Sequence, residues 1–114
     1  MRDWATIRER YLRDGLPIRL GGLAANLGRI QSFAAGGASD AVVESLMDES
    51  KYFIEWTAAE AEVNIAAELV ELQVELAGWQ LRWRRTRDAV LREQVVDQAG
   101  VWSDRVLEMS GLLG

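Results

Sequence analysis

The clearest helical pattern in the chain runs from residue 58 to residue 83. Apolar side chains recur there every three or four residues and fall on one side of a helical wheel. This core-facing set consists of Ala58, Ala61, Ile65, Leu69, Leu72, Leu76, Trp79 and Trp83. A second apolar set, on nearly the opposite side, consists of Trp56, Val63, Ala67, Val70, Val74, Ala77 and Leu81. A helix that is apolar on two sides needs neighbours on both, so we expect it inside a bundle or between its own chain and a partner.

The beginning of the chain predicts two helices with a short break between them. Asp3 can cap a short N-terminal helix that ends at Gly15, where the glycine could adopt the left-handed conformation. Pro17 then begins a second helix, because proline fits the first turn of a helix. The core stripe of that helix consists of Leu20, Leu23, Leu27, Ile30 and Ala34.

Small residues lie beside this second stripe. They are Gly21, Ala25, Gly28 and Ser32. Small side chains let two helix backbones approach closely, so this ridge predicts tight packing against another helix. The glycine spacing matches neither the dinucleotide fingerprint nor the P-loop, which makes a phosphate site the disfavoured interpretation.

Gly36 and Gly37 predict the next turn, and Ser39 or Asp40 can cap the helix after it. Residues 40–85 contain no proline, and an unbroken helix of that length would extend about 70 Å. A compact domain of this size is only about 35 Å across, so we expect a break.

Thr57 and Glu60 have the spacing of a capping box, which makes this point the predicted break. Thr86 or Asp88 can cap the last helix, and Gly111 can end it in the left-handed conformation. The sequence therefore predicts an all-α fold in a single domain of 114 residues. The predicted fold is an antiparallel helical bundle of four main helices, at about residues 17–34, 40–56, 58–85 and 88–109, plus a short N-terminal helix.

The composition narrows the possible functions. Cysteine and histidine are both absent, which excludes disulfides, thiolate zinc sites, cysteine nucleophiles and imidazole acid/base chemistry. A net charge of -5 disfavours nucleic acid or anionic membranes as partners. No apolar run reaches the ~20 residues that cross a bilayer, and no signal segment is recognisable, so we expect a cytoplasmic protein.

Helix-borne carboxylates give an alternative from another class. They are Glu68, Glu71, Glu75, Glu93 and Asp97. Oxygen ligands of this kind hold Mg²⁺ or Mn²⁺, and Glu68 with Glu71 resembles half of the acidic motif of all-α nucleoside triphosphate pyrophosphatases. That motif would place its second pair three residues apart, whereas Glu93 and Asp97 are four apart. A solvated helix face is the favoured interpretation, and a metal-dependent nucleotide hydrolase is the alternative.

Arginines cluster near the end of the long helical stretch. They are Arg82, Arg84, Arg85 and Arg87. Cations at this position complement the negative end of the helix dipole, which we favour over contact with single-stranded nucleic acid. Five tryptophans are mostly expected in the core, although a small apolar ligand bound between the helices is a further alternative.

Three parts of the chain carry a resemblance to known proteins. They are LP at 16–17 with RLGGLAANL at 19–27, ESK at 49–51 with FIEWTAAE at 53–60, and VWS at 101–103 with MSGLL at 109–113. Together they resemble a group of short cyanobacterial helical proteins with no known activity. The resemblance implies a bacterial cytosolic setting and carries over no ligand, catalytic residue or mechanism.

The sequence favours a non-catalytic interaction, structural or adaptor subunit without a cofactor. We expect a homodimer, or a complex with another protein, formed through the second apolar set. Its predicted contact residues are Trp56, Val63, Ala67, Val70, Val74 and Leu81. Tryptophan is common among interface anchors, and large apolar surfaces are seldom left open to water.

Overall fold

The computed structural model describes residues 2–37, 39–86 and 88–113. It contains the helices α1 (Trp4–Arg13), α2 (Leu16–Ala35), α3 (Asp40–Ala58), α4 (Val63–Arg85) and α5 (Ala89–Ser110). All regular structure in these three ranges is helical. The prediction of an all-α bundle with a short N-terminal helix is therefore confirmed.

The four long helices enclose one core. α2 packs between α3 and α5, and α4 packs against the same two helices, so α2 and α4 occupy diagonal positions. α1 lies on the outside of α3. The fully buried side chains include Leu23, Leu27, Ile30, Val43, Met47, Ile54, Leu69, Leu72, Leu76, Trp83, Val95 and Val106. The predicted core stripes of the main helices thus meet in the interior.

α2 and α5 form the most closely packed helix pair. The Ser103 hydroxyl donates a hydrogen bond of 2.9 Å to the Ala24 carbonyl, which requires the two backbones to lie close together. A Cβ added at Gly28 would lie 3.7 Å from the Ser103 oxygen, and one added at Gly100 would clash with Nε2 of Gln31. The contact at Gly28 would be an ordinary van der Waals contact, whereas the absence of a side chain at Gly100 leaves room for the Gln31 amide of α2.

The prediction that the ridge of small residues packs tightly against another helix is confirmed only in part. Gly28 faces α5 as expected, and a Cβ at Gly21 would lie 2.8 Å from the Leu112 side chain. Ala25 and Ser32 are instead exposed, because they lie further round α2 than its contact with α5 reaches.

Side-chain caps fix the helix starts at three predicted positions. Asp3 accepts a hydrogen bond from the Thr6 amide, Ser39 from the Ala41 amide, and Asp88 from the Leu91 amide. Gly111 ends α5 with a φ of 75°, as predicted. The expectation for Gly15 is wrong: its φ is -68°, and it precedes α2 in an extended conformation.

The break near Thr57 exists, but its predicted mechanism and position are wrong. Thr57 lies inside α3, and its hydroxyl forms a hydrogen bond with the Tyr11 hydroxyl at 2.8 Å, so it does not cap α4. The Glu60 amide bonds to the Thr57 carbonyl, and the Glu60 carboxylate forms an ion pair with Arg19. The chain turns within residues 59–62, and α4 begins at Val63. Ala58 therefore belongs to α3.

Among the described residues, no helix combines the length and apolarity needed to cross a membrane.

Candidate interaction surface

A continuous apolar stripe faces outward on α4. We call it the α4 stripe; its members are Val63, Ala67, Val70, Val74, Ala77 and Leu81, and all six are exposed. The exposed fractions of Val63, Val74 and Leu81 are 84%, 67% and 52%. Five of the six residues were predicted as contact residues, and the second apolar side of this helix is thus real and open.

Side-chain hydrogen bonds to α3 hold one flank of α4. Nε2 of Gln73 donates to the Lys51 carbonyl at 3.2 Å, and Nε2 of Gln80 donates to the Asp48 carboxylate at 2.6 Å. Gln80 is buried, so this contact lies in the packed part of the bundle. The orientation of α4 about its own axis is therefore fixed from this side.

Two of the predicted carboxylates hold the opposite flank of α4 against α5. Glu68 accepts a hydrogen bond from Arg105 at 2.5 Å, and Glu75 accepts one from the Trp102 indole at 2.6 Å. Glu71 is exposed beside the α4 stripe. Glu68 and Glu75 therefore position α4, and the stripe lies on its one unpacked side.

The remaining two carboxylates of the hydrolase alternative lie elsewhere. Glu93 and Asp97 are exposed on α5 and line a groove with Ala34 and Ala35 of α2. Across residues 2–37, 39–86 and 88–113, no three carboxylates come close enough together to hold a metal ion. The five carboxylates named for the metal-dependent alternative are therefore not brought together in this part of the chain.

Trp56 lies apart from the α4 stripe, contrary to its prediction as a contact residue on the same face. Its ring packs with the rings of Tyr52 and Phe53 on α3 and of Trp4 and Tyr11 on α1, with centroid distances of 5.6 to 6.5 Å. The prediction extended the periodicity of α4 backward through residues 59–62, where the chain in fact turns. Trp56 thus fastens α1 to α3.

Three buried tryptophans lie in the part of the bundle where the alternative of a small apolar ligand would place that ligand. Trp79, Trp83 and Trp102 are buried in the core that α4 and α5 share. The Arg105 guanidinium lies 4.1 Å from the centre of the Trp102 ring and covers it. These rings fill part of the space in which such a ligand would lie.

The arginines at the end of α4 partly fulfil the capping role expected of them. Arg82, Arg84 and Arg85 lie in the last turn, where they complement the helix dipole, and Arg84 pairs with Glu44 of α3. Arg82 and Arg85 are exposed. Arg87 lies outside the described residues.

A shallow hollow of about 600 Å³ adjoins the amino end of the α4 stripe. It is lined by Ala58, Ala59, Ala61, Val63, Ala66, Ala67 and Val70. All seven side chains are apolar and five are alanine, so the hollow can receive a larger aliphatic side chain.

A buried polar contact that the sequence did not reveal joins α1, α2 and α3. The Tyr11 hydroxyl donates to the Arg19 carbonyl at 2.9 Å and lies 2.8 Å from the Thr57 hydroxyl. Burial raises the pKa of Tyr11 to about 12, and the hydrogen bond with Thr57 and the charge of Arg19 offset part of this effect. No local pattern indicates this contact, because the partners are far apart in the chain.

The Tyr11 hydroxyl is expected to make the protein sensitive to alkali. Its pKa rises from 10.0 to about 12 on folding, so the stabilisation is complete below pH 10 and is lost as the pH rises through 12. We expect a loss of roughly 2 kcal/mol, to be measured by urea unfolding below pH 10 and again near the upper end of this range. Tyr11→Phe should remove this loss of unfolding free energy at high pH, whereas Tyr52→Phe on the surface should keep it. Equal alkali sensitivity in both variants would contradict the assignment.

Comparisons with known proteins give no match. No protein-family model, no curated protein and no solved structure matches the chain.

Proposed function

We propose that the protein is a non-catalytic interaction subunit that works through the α4 stripe and forms a homodimer. The supporting observation is an unbroken apolar surface on a helix that is packed on its other three sides. Monomeric proteins seldom leave such surfaces open, and side chains on a rigid helix lose little freedom when a partner covers them. No cofactor is part of the proposal, and the cytoplasmic setting stays a prediction.

Charge supports a protein partner over nucleic acid or an anionic membrane. The chain carries 18 acidic and 13 basic residues, which repels polyanions in general. The α4 stripe itself contains no charged side chain, whereas phosphate recognition would need arginine or lysine within the contact. The same stripe suits the apolar centre of a protein interface.

Val74→Glu is expected to weaken self-association by about 100-fold. Each dimer would bury two uncompensated carboxylates, one from each copy, and buried unpaired charge strongly opposes association. Val90→Glu is the matched control, because Val90 is 64% exposed on α5 and Val74 is 67% exposed on α4. Light scattering after gel filtration, over a concentration series, measures the dimer fraction of each variant.

The two valine variants also separate association from stability. Both replaced side chains are exposed, so both variants should fold with nearly wild-type unfolding free energy. A wild-type protein that stays monomeric at high micromolar concentration would contradict the homodimer. Equal weakening by Val74→Glu and Val90→Glu would contradict the α4 stripe as its interface.

A further inference from the structure

The α4 stripe has the spacing of a coiled-coil seam. Its members succeed one another at intervals of four, three, four, three and four residues. This alternation is the a and d pattern of the heptad repeat, which brings the same face of a helix back every seven residues. The stripe is therefore suited to lie along another straight helix.

The order of these intervals is the same from either end of the stripe. Reversing the stripe about the level of Leu72 places Val63 beside Leu81, Ala67 beside Ala77, and Val70 beside Val74. We infer that two copies of the protein pack α4 against α4 in antiparallel orientation, about a twofold axis level with Leu72. This inference rests on the proposed function and specifies the partner and the register of the same surface.

The side chains paired by this register complement one another in size. Ala67 beside Ala77 lets the two helices approach closely on either side of the axis, where Val70 and Val74 pack together. At each end, Leu81 of one copy reaches the alanine-lined hollow of the other, which adjoins Val63. Small residues therefore lie opposite small ones, and the largest side chain lies opposite the available space.

Charge at the ends of α4 favours the antiparallel orientation. Glu62 is exposed at its amino end, and Arg82 and Arg85 are exposed at its carboxyl end. The nearby Glu60 carboxylate is already paired with Arg19 and does not count toward this charge. Antiparallel packing brings the acidic end of each copy to the basic end of the other. Parallel packing would bring like charges together at both ends, which opposes association.

The contact is long enough for a specific, reversible dimer. From Val63 to Leu81 the stripe extends about 27 Å, at 1.5 Å per residue. We expect two such helices and their flanking side chains to bury about 1,200 Å² in total, the lower end of specific interfaces. A dimer of micromolar affinity is the expected result.

Cross-linking tests the register, because the natural chain contains no cysteine. Val63→Cys and Leu81→Cys proteins, one of them isotopically labelled, are mixed and treated with a short bismaleimide. The antiparallel register places Cys pairs within reach only in mixed dimers, since two copies of residue 63 lie about 27 Å apart. We expect mass spectrometry to find at least tenfold more mixed than same-variant cross-links. Val90→Cys on α5 is the matched control for random collision.

Glu71→Gln gives an independent test without cross-linking. Glu71 lies beside the stripe, one residue from the level of the axis, so the two copies of its carboxylate approach each other in the antiparallel dimer. Removing this repulsion should tighten the dimer by about three- to tenfold. In a parallel dimer, Glu71 would instead face the uncharged Ala66 or Gln73 of the other copy, and the affinity should not change.

The outcomes separate this inference from the proposed function. A wild-type protein that does not dimerise would overturn both. A dimer that is lost in Val74→Glu but cross-links equally well through Val63→Cys alone would keep the interface and overturn the antiparallel register. A dimer that forms without any cross-link above the Val90→Cys control would show that another face is used.

Discussion

Trp83→Ala is expected to lower the free energy of unfolding by about 3 to 5 kcal/mol. The Trp83 side chain is fully buried in the core of the bundle. Its ring also supports the Arg92 guanidinium, 4.8 Å from the ring centre, which in turn bonds to the Ala34 carbonyl and the Asp40 carboxylate. Truncation therefore leaves a cavity and removes the support of a contact that joins α5 to α2 and α3.

Trp4→Ala is the matched control for this prediction. Trp4 is half-buried at the edge of the aromatic contact between α1 and α3, so its loss should cost less than half as much. Urea unfolding followed by circular dichroism measures both variants. Equal losses would contradict the placement of Trp83 in the core.

Arg19→Ala is expected to lower the free energy of unfolding by about 3 kcal/mol. The Arg19 side chain is only 8% exposed, and its guanidinium donates to the Asp14 and Trp56 carbonyls and to the Glu60 carboxylate. These acceptors lie after α1, near the end of α3, and in the turn before α4. Alanine would leave all three without this donor.

Arg13→Ala is the control, because Arg13 forms an exposed ion pair with Glu9 at 3.1 Å and should contribute less than about 0.5 kcal/mol. Arg19→Lys should recover only part of the loss, since an ammonium group cannot reach three acceptors arranged around a planar guanidinium. Full recovery by lysine, or an alanine effect no larger than that of Arg13→Ala, would contradict the role assigned to Arg19.

The ion pair of Arg19 and Glu60 is also expected to make the protein less stable in acid. The hydrogen bond and the charge of Arg19 lower the pKa of Glu60. The stabilisation from this pair is therefore present at neutral pH and is lost as the pH falls through the lowered pKa. Arg19→Ala should remove that part of the acid sensitivity.

Local rules were sufficient where the structure itself is local. The periodicity of Leu69, Leu72 and Leu76 identified the buried side of α4, because three- and four-residue spacing has one meaning on any helix. The caps at Ser39 and Asp88 were each one of two predicted candidates, since a cap joins a side chain to an amide two or three residues away. The fold class results from these two kinds of signal.

The point where α3 ends could not be predicted in the same way. It involves contacts of Thr57 with Tyr11 and of Glu60 with Arg19, between residues more than forty positions apart. The error at this turn also displaced Trp56, because a helical wheel loses its phase wherever the helix stops. Because the turn was misplaced, Trp56 was predicted on the same face as the α4 stripe, whereas its ring packs between α1 and α3.

The candidate site was predicted as a surface but not in its detail. The sequence identified both Val74 and Glu75, yet only the fold separates an open valine from a carboxylate bonded to Trp102. Two of the carboxylates at metal-like spacing on α4, Glu68 and Glu75, form contacts between helices, whereas Glu71 is exposed. Spacing along a helix shows which residues share a side, and the neighbouring helices decide what that side does.

The four-helix core closes within a single copy, while the α4 stripe lies wholly outside it. Folding and assembly are therefore separate equilibria for this chain. In the proposed dimer, dilution should release folded monomers whose melting temperature changes little, and the protein concentration would set how much of it is paired. A dimer of the proposed kind could exchange its subunits without passing through an unfolded state.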